Sequence, residues 1–335
     1  MSALKEGETV LITGGTGWIG SHIVNEALKA GLKVKLAIRS EEKARALIQA
    51  LEKIHQAEGQ ITTILIPDLG GKDAWKEALV DVQAVIHAAI DLSLIGSDAE
   101  SFIRGVLDLN INLLQAAKNR GGSIKRIVIT SSSVTLGLPN AGASTTHYWN
   151  ADTWNEAAVE RSKSAEPDMY TAYAASKTLA EQAVWKFVKE ENNPSLILNT
   201  VCPNSVFGAP VPGMQMASSG KMLLDASEGK PSLLLDLGPQ YHSDVDDIAK
   251  LHILGVMKED LQNKRIIAFA TKYSINSLID TIKVVKPDAT PTDKKEDWDV
   301  QDNTEVDSSL ANQLLASQGG LKDLEFSVRG NLTSV

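Results

Sequence analysis

The sequence predicts an α/β fold: a doubly wound parallel sheet with helices on both faces, followed by a smaller C-terminal lobe. Three observations predict it. Short β-branched runs alternate with longer amphipathic segments through the first half of the chain, the pattern of repeated βα units. A glycine-rich turn spanning Gly14 to Gly20 joins the first apolar run to the first amphipathic segment. Beyond the sixth apolar run the alternation fails, because Pro203, Gly208, Pro210, Pro212 and Gly213 exclude one continuous helix or strand.

Taken in order, the strands read as residues 9–13, 33–38, 61–66, 84–88, 124–130 and 196–202. Residues 41–57, 72–80 and 98–119 between them show helical spacing, and the last of these stops at Gly121-Gly122, where glycine supplies a left-handed cap. Such an order places a ligand crevice at the carboxyl ends of the strands, where strand order reverses. Residues 138–168 are polar and irregular, with Trp, Asn and Ser, and are expected to form a loop covering the site. The expected domains are residues 1–203, with 238–262 returning to them, and a smaller substrate lobe of 204–237 and 263–335. A helix over 244–257 makes the return, 286–299 is a charged surface stretch, and the tail from 308 is partly helical.

Composition narrows the class of protein. The 335 residues are 43% hydrophobic and 22% charged, and no apolar run approaches the roughly 18 residues of a membrane span. Residues 1–10 carry glycine, glutamates and a lysine and lead straight into an apolar strand, which leaves no room for a signal peptide and predicts a cytoplasmic protein. A net charge of −9 argues against a nucleic-acid partner. Cys202 is the single cysteine, so an intramolecular disulfide and a cysteine zinc cage are excluded; no metal is expected, and Cys202 reads as a small buried side chain. A monomer and a homodimer both fit the composition.

The glycine turn carries the first chemistry. Gly14, Gly17 and Gly20 give a GxxGxxG spacing, and Gly15, Gly17 and Gly20 also satisfy GxGxxG. The turn follows a strand and opens a helix whose buried stripe is Ile19, Ile23 and Ala27, the setting of a Rossmann-type dinucleotide site. Glycines let the backbone approach a pyrophosphate, and the helix N-terminus offers it free N–H groups and a positive dipole end. The plainer alternative is a glycine turn that only permits close packing. At the end of the second strand, Leu36-Ala37-Ile38-Arg39-Ser40 has no acid to hold the adenosine ribose hydroxyls of NAD, whereas Arg39, with Lys43 a helical turn on, fits a 2′-phosphate. NADPH is therefore the expected cofactor, against the alternative of a solvated basic helix start paired with Glu41 and Glu42.

Of five tyrosines, Tyr173 alone has a lysine four residues on, Lys177, which puts both on one face of a helix continuing through Ala180 and Val184. A neighbouring ammonium favours the phenolate, so Lys177 is expected to lower the pKa of Tyr173. Strand five ends Thr130-Ser131-Ser132-Ser133 at the edge where the crevice is expected, and a serine there can orient a carbonyl oxygen toward Tyr173. Chemistry does not select among these serines, although turn capping suits Ser131 and Ser133.

Together these residues resemble the extended short-chain dehydrogenase/reductase family, and the resemblance covers nearly the whole chain. It rests on the glycine turn, Asp68-Leu69, Val85-Ile-His-Ala-Ala89, Thr130-Ser-Ser132, Trp154-Asn155, Tyr173 to Lys177, Cys202-Pro203 leading to Val206-Phe207-Gly208, and His242-Ser-Asp-Val-Asp-Asp247. The branch it most resembles is that of dihydroflavonol reductases and yeast methylglyoxal reductases. The resemblance implies that Ser132, Tyr173 and Lys177 are catalytic. It implies cofactor contacts from Gly14, Thr16, Gly17, Trp18, Ile19 and Gly20, from Asp68 and Leu69 at the adenine, and from Ala88, Ala89, Ile90 and Thr130. Pro203, Ser205 and Val206 would meet the nicotinamide end. Val106 to Leu109 stand where many members show Asn-x-x-Gly, so an active-site asparagine is not carried over, and His87 reads as a packing residue.

The function so implied is NADPH-dependent reduction of a small-molecule carbonyl, with Tyr173 as proton donor. Expected substrate contacts are Asp91, Leu92, Ser132, Leu138, Trp154, Asn204, Phe207 and Met214, with Leu94, Trp149, Val211 and Met216 as further wall material. These loops hold no Arg or Lys, which predicts a neutral, hydrophobic or aromatic aldehyde or ketone. The rival readings are a nucleotide-sugar epimerase or dehydratase, which uses the same Tyr and Lys, and a non-catalytic NADP-binding regulator.

Overall fold

A computed structural model describes residues 3–71, 73–90, 98–164, 166–191 and 196–334. Its centre is a seven-stranded, all-parallel sheet in the spatial order Arg265–Ile267, Ile197–Cys202, Arg126–Thr130, Ala84–His87, Thr9–Thr13, Lys33–Ile38 and Ile61–Leu65. The chain starts in the middle, runs outward through two strands, and returns to the other side of Thr9–Thr13, so the order reverses between Thr9–Thr13 and Ala84–His87. All six sequence-read strands are present, with ends moved by no more than two residues.

A parallel sheet covered on both faces needs apolar side chains pointing both ways, and period-two alternation distributes them. Val10 and Ile12 enter one core with Ile23, Ala27, Leu47, Leu51 and Val256, beneath the helices Trp18–Lys29, Glu41–His55 and Val245–Met257. Leu11 enters the opposite core with Trp75, Leu113, Leu114 and Val184, beneath Ala99–Asn119 and Met169–Glu191. The predicted glycine stop is present: Gly121 and Gly122 follow Ala99–Asn119 with φ of 63° and 88°.

Two expectations about the second half need correcting. Strand Arg265–Ile267, in the stretch given to the small lobe, pairs with Thr200 to Cys202 and completes the large sheet, since the buried Ile266 and Ile267 extend its apolar edge. Residues 138–168 are also not one loop over the site. They contain strand His147–Trp149, paired with Thr304–Val306, and helix Glu156–Arg161. Trp149 is buried with Leu136, Cys202, Tyr241, Ile267 and Phe269, so this arm fastens the tail to the sheet edge and takes Trp149 out of the pocket wall.

The small lobe packs helices Ser218–Ser227, Ile275–Val285 and Leu324–Thr333 around Phe207, Leu223, Leu278, Ile282 and Val328. Strands Ser205–Phe207, Gln240–Asp244 and Lys272–Tyr273 form a three-stranded sheet beside it. Among the described residues no helix is long and apolar enough to cross a membrane, and no cluster of ligating side chains could hold a metal.

Candidate active site

The glycine turn has the shape a pyrophosphate needs. Gly14 adopts a φ of 69°, and a Cβ there would stand 2.7 Å from the Ala89 nitrogen, so the turn lies against the end of strand Ala84–His87. A Cβ on Gly20 would stand 2.0 Å from the Gly14 carbonyl oxygen, which is why the helix can begin so close to the turn. Gly17 is the N-cap and has no side chain to occupy the first-turn N–H groups, so these remain open to an anion. Thr16 and Ile19 lie at this helix start, half-buried. The Trp18 indole donates to the Val206 carbonyl (3.0 Å) and packs against Gly220, which leaves its backbone at the helix start for a cofactor.

Below the turn, the Thr13 hydroxyl accepts from the Ala89 N–H (3.2 Å) and hydrogen-bonds His87 Nδ1 (2.8 Å). Burial, aided by the Lys177 charge, drives the pKa of His87 down to about 3, so it is neutral and holds the strand ends together. Beyond the end of strand Lys33–Ile38, Arg39 and Lys43 are both exposed. Asp68 is exposed and accepts from the Gly70 N–H (2.8 Å), while Leu69 packs on the core beside it. Ala88, Ala89 and Ile90 are half-buried at the strand end, and Ile90 packs near Tyr173. Asp91 and Leu92, like Leu94, lie outside the described residues.

Helix Met169–Glu191 brings Tyr173 and Lys177 to this crevice. Its start is fixed by Asp168, which accepts from the Thr171 N–H (2.9 Å) and hydroxyl (2.6 Å), and Ala172, Ala174, Ala175 and Ala180 let it lie close to its neighbours. Lys177 donates to the Thr130 carbonyl (2.8 Å). The Thr130 hydroxyl meets His252 Nε2 (2.8 Å), whose Nδ1 is held by the Ile248 carbonyl (2.8 Å). Ser132 is the N-cap of the short turn Ser133–Thr135, its hydroxyl accepting from the Val134 N–H (3.4 Å), and its side chain stands near Tyr173. Ser131 instead donates to Glu181 Oε2 (2.6 Å), away from the phenol. Geometry thus distinguishes the serines where chemistry did not.

The electrostatics differ from the expectation. Burial raises the pKa of Tyr173, and the nearby Ser132 hydroxyl only partly opposes this. Lys177 does not lower it, since its ammonium is turned to the Thr130 carbonyl, and burial lowers the pKa of Lys177 itself while Glu181 opposes. The phenol is therefore protonated at neutral pH and able to donate. Tyr170 packs against Tyr173, Val134 and Leu138, and burial followed by the Tyr173 charge pushes its pKa up to about 12. Burial also pushes the Cys202 thiol up to about 12, the inert state expected of it.

The expected substrate residues divide. Leu138 packs beside Tyr170 and Tyr173. Asn204 is half-buried, donating through its N–H to the Ser243 hydroxyl (2.9 Å) and accepting from the Ser205 N–H (2.8 Å). The Pro203 carbonyl accepts from the Ser133 N–H (2.8 Å), which places this segment beside the serine turn, and the Ser205 hydroxyl is engaged by Tyr273 (3.1 Å). Phe207, Trp154 and Met214 each pack against other parts of the fold. Phe207 has no exposed surface and stacks on His242 in the small-lobe core. Trp154 stacks on the Arg265 guanidinium (3.9 Å), and Met214 packs with Val211 on the core beneath helix Glu41–His55. Met216 packs near Trp18. Sequence reading also missed Glu181 and Arg265. Glu181 continues the four-residue spacing of Tyr173 and Lys177, a signal that was available, whereas Arg265 arrives from 84 residues further along and has none.

A phosphate-ready turn at a sheet switch point, with a tyrosine, a lysine and a serine at the crevice, is the arrangement of a dinucleotide-dependent oxidoreductase. The chain belongs to the NAD dependent epimerase/dehydratase family, whose model matches residues 10–268, and so to the extended short-chain dehydrogenases/reductases. It is 35% identical over 294 residues to NAD-dependent epimerase/dehydratase terH of Aspergillus terreus, covering 85% of this chain and 84% of that one. Over 339 residues it is 30% identical to aldehyde reductase 2 of Sporidiobolus salmonicolor, covering 98% and 96%. Gre2 of Candida albicans, solved in complex with NADPH, matches with a TM-score of 0.82 at 26% identity, over 96% of this chain and 97% of that one.

Proposed function

We propose that the protein reduces neutral, hydrophobic or aromatic aldehydes and ketones to alcohols with NADPH. The observation that carries this reading is the half-buried Tyr173, its phenol held protonated beside the Ser132 side chain, with Lys177 one helical turn away. When bound, NADPH supplies the hydride. Gly14 to Gly20 would hold its pyrophosphate, Arg39 and Lys43 its 2′-phosphate, and Lys177 its nicotinamide ribose. Ser132 orients the substrate carbonyl oxygen, and Tyr173 Oη gives that oxygen its proton. Val134, Leu138 and Tyr170 around Tyr173 bury apolar substrate surface and offer no cation to a carboxylate or phosphate. The NADPH-bound Gre2 and the aldehyde reductase among the relatives support the same reading.

An epimerase or dehydratase is the second reading, in line with the name of the terH relative, and a nucleotide sugar is the substrate class it would take. One experiment addresses both. NADPH binding and NADPH oxidation are measured for the wild type and Tyr173→Phe, with an aryl ketone, a 2-keto acid of similar size and a nucleotide sugar. The expected result is reduction of the ketone in preference to the acid, with turnover in Tyr173→Phe lower by roughly 100-fold or more and binding retained. Near-normal turnover in Tyr173→Phe removes the proton donor, and activity on the nucleotide sugar alone moves the protein to the second reading.

A further inference from the structure

Beneath the triad lies an ion pair that the mechanism does not use. Glu181 and Arg265 have side chains only 3% exposed, joined from Nε to Oε1 at 3.0 Å and from Nη2 to Oε2 at 3.2 Å. Burial alone would raise the pKa of Glu181, but Arg265, Ser131 and Thr200 hold it below the ordinary value, so the carboxylate is ionised. Burying such a pair costs several kcal/mol per ion, and well-packed apolar residues often serve stability as well or better. Its other contacts point to a different role.

Glu181 Oε2 accepts from the Ser131 hydroxyl (2.6 Å), and Oε1 accepts from Thr200 (2.7 Å). Arg265 Nη2 donates to the Thr135 hydroxyl (2.7 Å), which itself donates to the Ser132 carbonyl (2.8 Å). Arg265 Nη1 donates to the Thr153 and Ala151 carbonyls, and Trp154 covers the guanidinium plane. Three consecutive residues at the strand end are therefore each tied: Thr130 to Lys177, Ser131 to Glu181, and Ser132 through Thr135 to Arg265. Tyr173, Lys177 and Glu181 recur every fourth residue on one helix, so one helical face addresses one short strand end.

We infer that the Glu181–Arg265 pair is a positioning clamp for the triad. It holds Ser131 and the Ser132 carbonyl against helix Met169–Glu191, so that the Ser132 hydroxyl stays at Tyr173 and the Thr130 carbonyl at Lys177. Glu181, Arg265, Ser131 and Thr135 are positioning residues, acting through Ser132 and Lys177. The inference rests on the reductase reading above.

The test compares Thr135→Val with Thr135→Ser. Valine nearly matches threonine in shape but breaks the link from Arg265 to Ser132; serine keeps the hydroxyl. Thr135→Val is expected to lower kcat by roughly 10- to 100-fold, the scale of a misplaced catalytic group. KM and the NADPH Kd should stay within about twofold, and Thr135→Ser should recover most of kcat. Ser131→Ala, which removes the other tie, should show the same kcat-only pattern and serves if Thr135→Val does not fold. Assays run well below each variant's Tm separate positioning from stability. Variants that lose Tm yet keep kcat, or that change KM alone, overturn the clamp. Tyr173→Phe measured alongside separates the two failures: normal turnover there removes the reductase mechanism, whereas lost turnover there with normal kcat in Thr135→Val removes only the clamp.

Discussion

Acidification from pH 7 to pH 5 is expected to cost this protein a large part of its stability, because imidazoles are buried in the uncharged form, His87 and His252 with the largest shifts. Burial, with the Lys177 charge, lowers His87 from 6.5 to about 3, and burial lowers His252 from 6.5 to about 4. As pH falls below 6.5 the unfolded chain takes up protons that the folded one refuses, so the folded state loses stability down to the folded pKa values. Integrated from pH 7 to pH 5, each histidine accounts for about 1.9 kcal/mol and the pair for about 4 kcal/mol. Domains have only about 5–15 kcal/mol in total. Stopping at pH 5 keeps carboxylates with unfolded values near 4 mostly ionised in both states. The assay is urea denaturation at the two pH values for wild type and His252→Gln, with loss of stability between them as the readout. The variant should lose about 2 kcal/mol less than wild type. An equal loss in both proteins would show that His252 is not buried in its neutral form. The result bears on function, since His252 holds Thr130, whose carbonyl receives Lys177.

Other perturbations probe the cofactor site and the proton donor. Arg39→Ala should weaken NADPH by roughly 10- to 150-fold, the scale of a charge-assisted hydrogen bond, and leave NADH within about twofold; equal losses in fluorescence titrations of both would mean that Arg39 does not read the 2′-phosphate. Gly20→Ala would put a Cβ 2.0 Å from the Gly14 oxygen and force the turn open. It should reduce NADPH affinity by at least about tenfold and lower Tm, and unchanged binding would contradict the turn geometry. Because burial raises Tyr173 above its ordinary value and His87 is neutral above about pH 3, kcat for reduction should be flat from pH 6 to pH 8 and fall only on the alkaline side. A limb near pH 6.5 in the rate profile would point to a histidine acid that this site does not contain.

What the sequence by itself determined is what short-range spacing encodes. Period-two apolar runs located the strands, because a two-sided core demands them, and the glycines of the turn mark where backbone must meet backbone. Tyr173 and Lys177 were legible because four residues bring two side chains to one face of any helix. Tertiary structure alone decided which serine meets the phenol, since Ser131 and Ser132 differ only in whether Glu181 or Tyr173 lies opposite. It also decided the electrostatics: Lys177 lies one turn from Tyr173, yet burial and the Thr130 carbonyl set the outcome. Phe207 looks like a pocket wall in the sequence yet is fully buried in the small-lobe core, because an apolar side chain in a loop carries no mark of which surface it will cover. Arg265 completes the polar network beneath the triad from 84 residues beyond Glu181, a distance that only the pairing of its strand with Ile197–Cys202 can close.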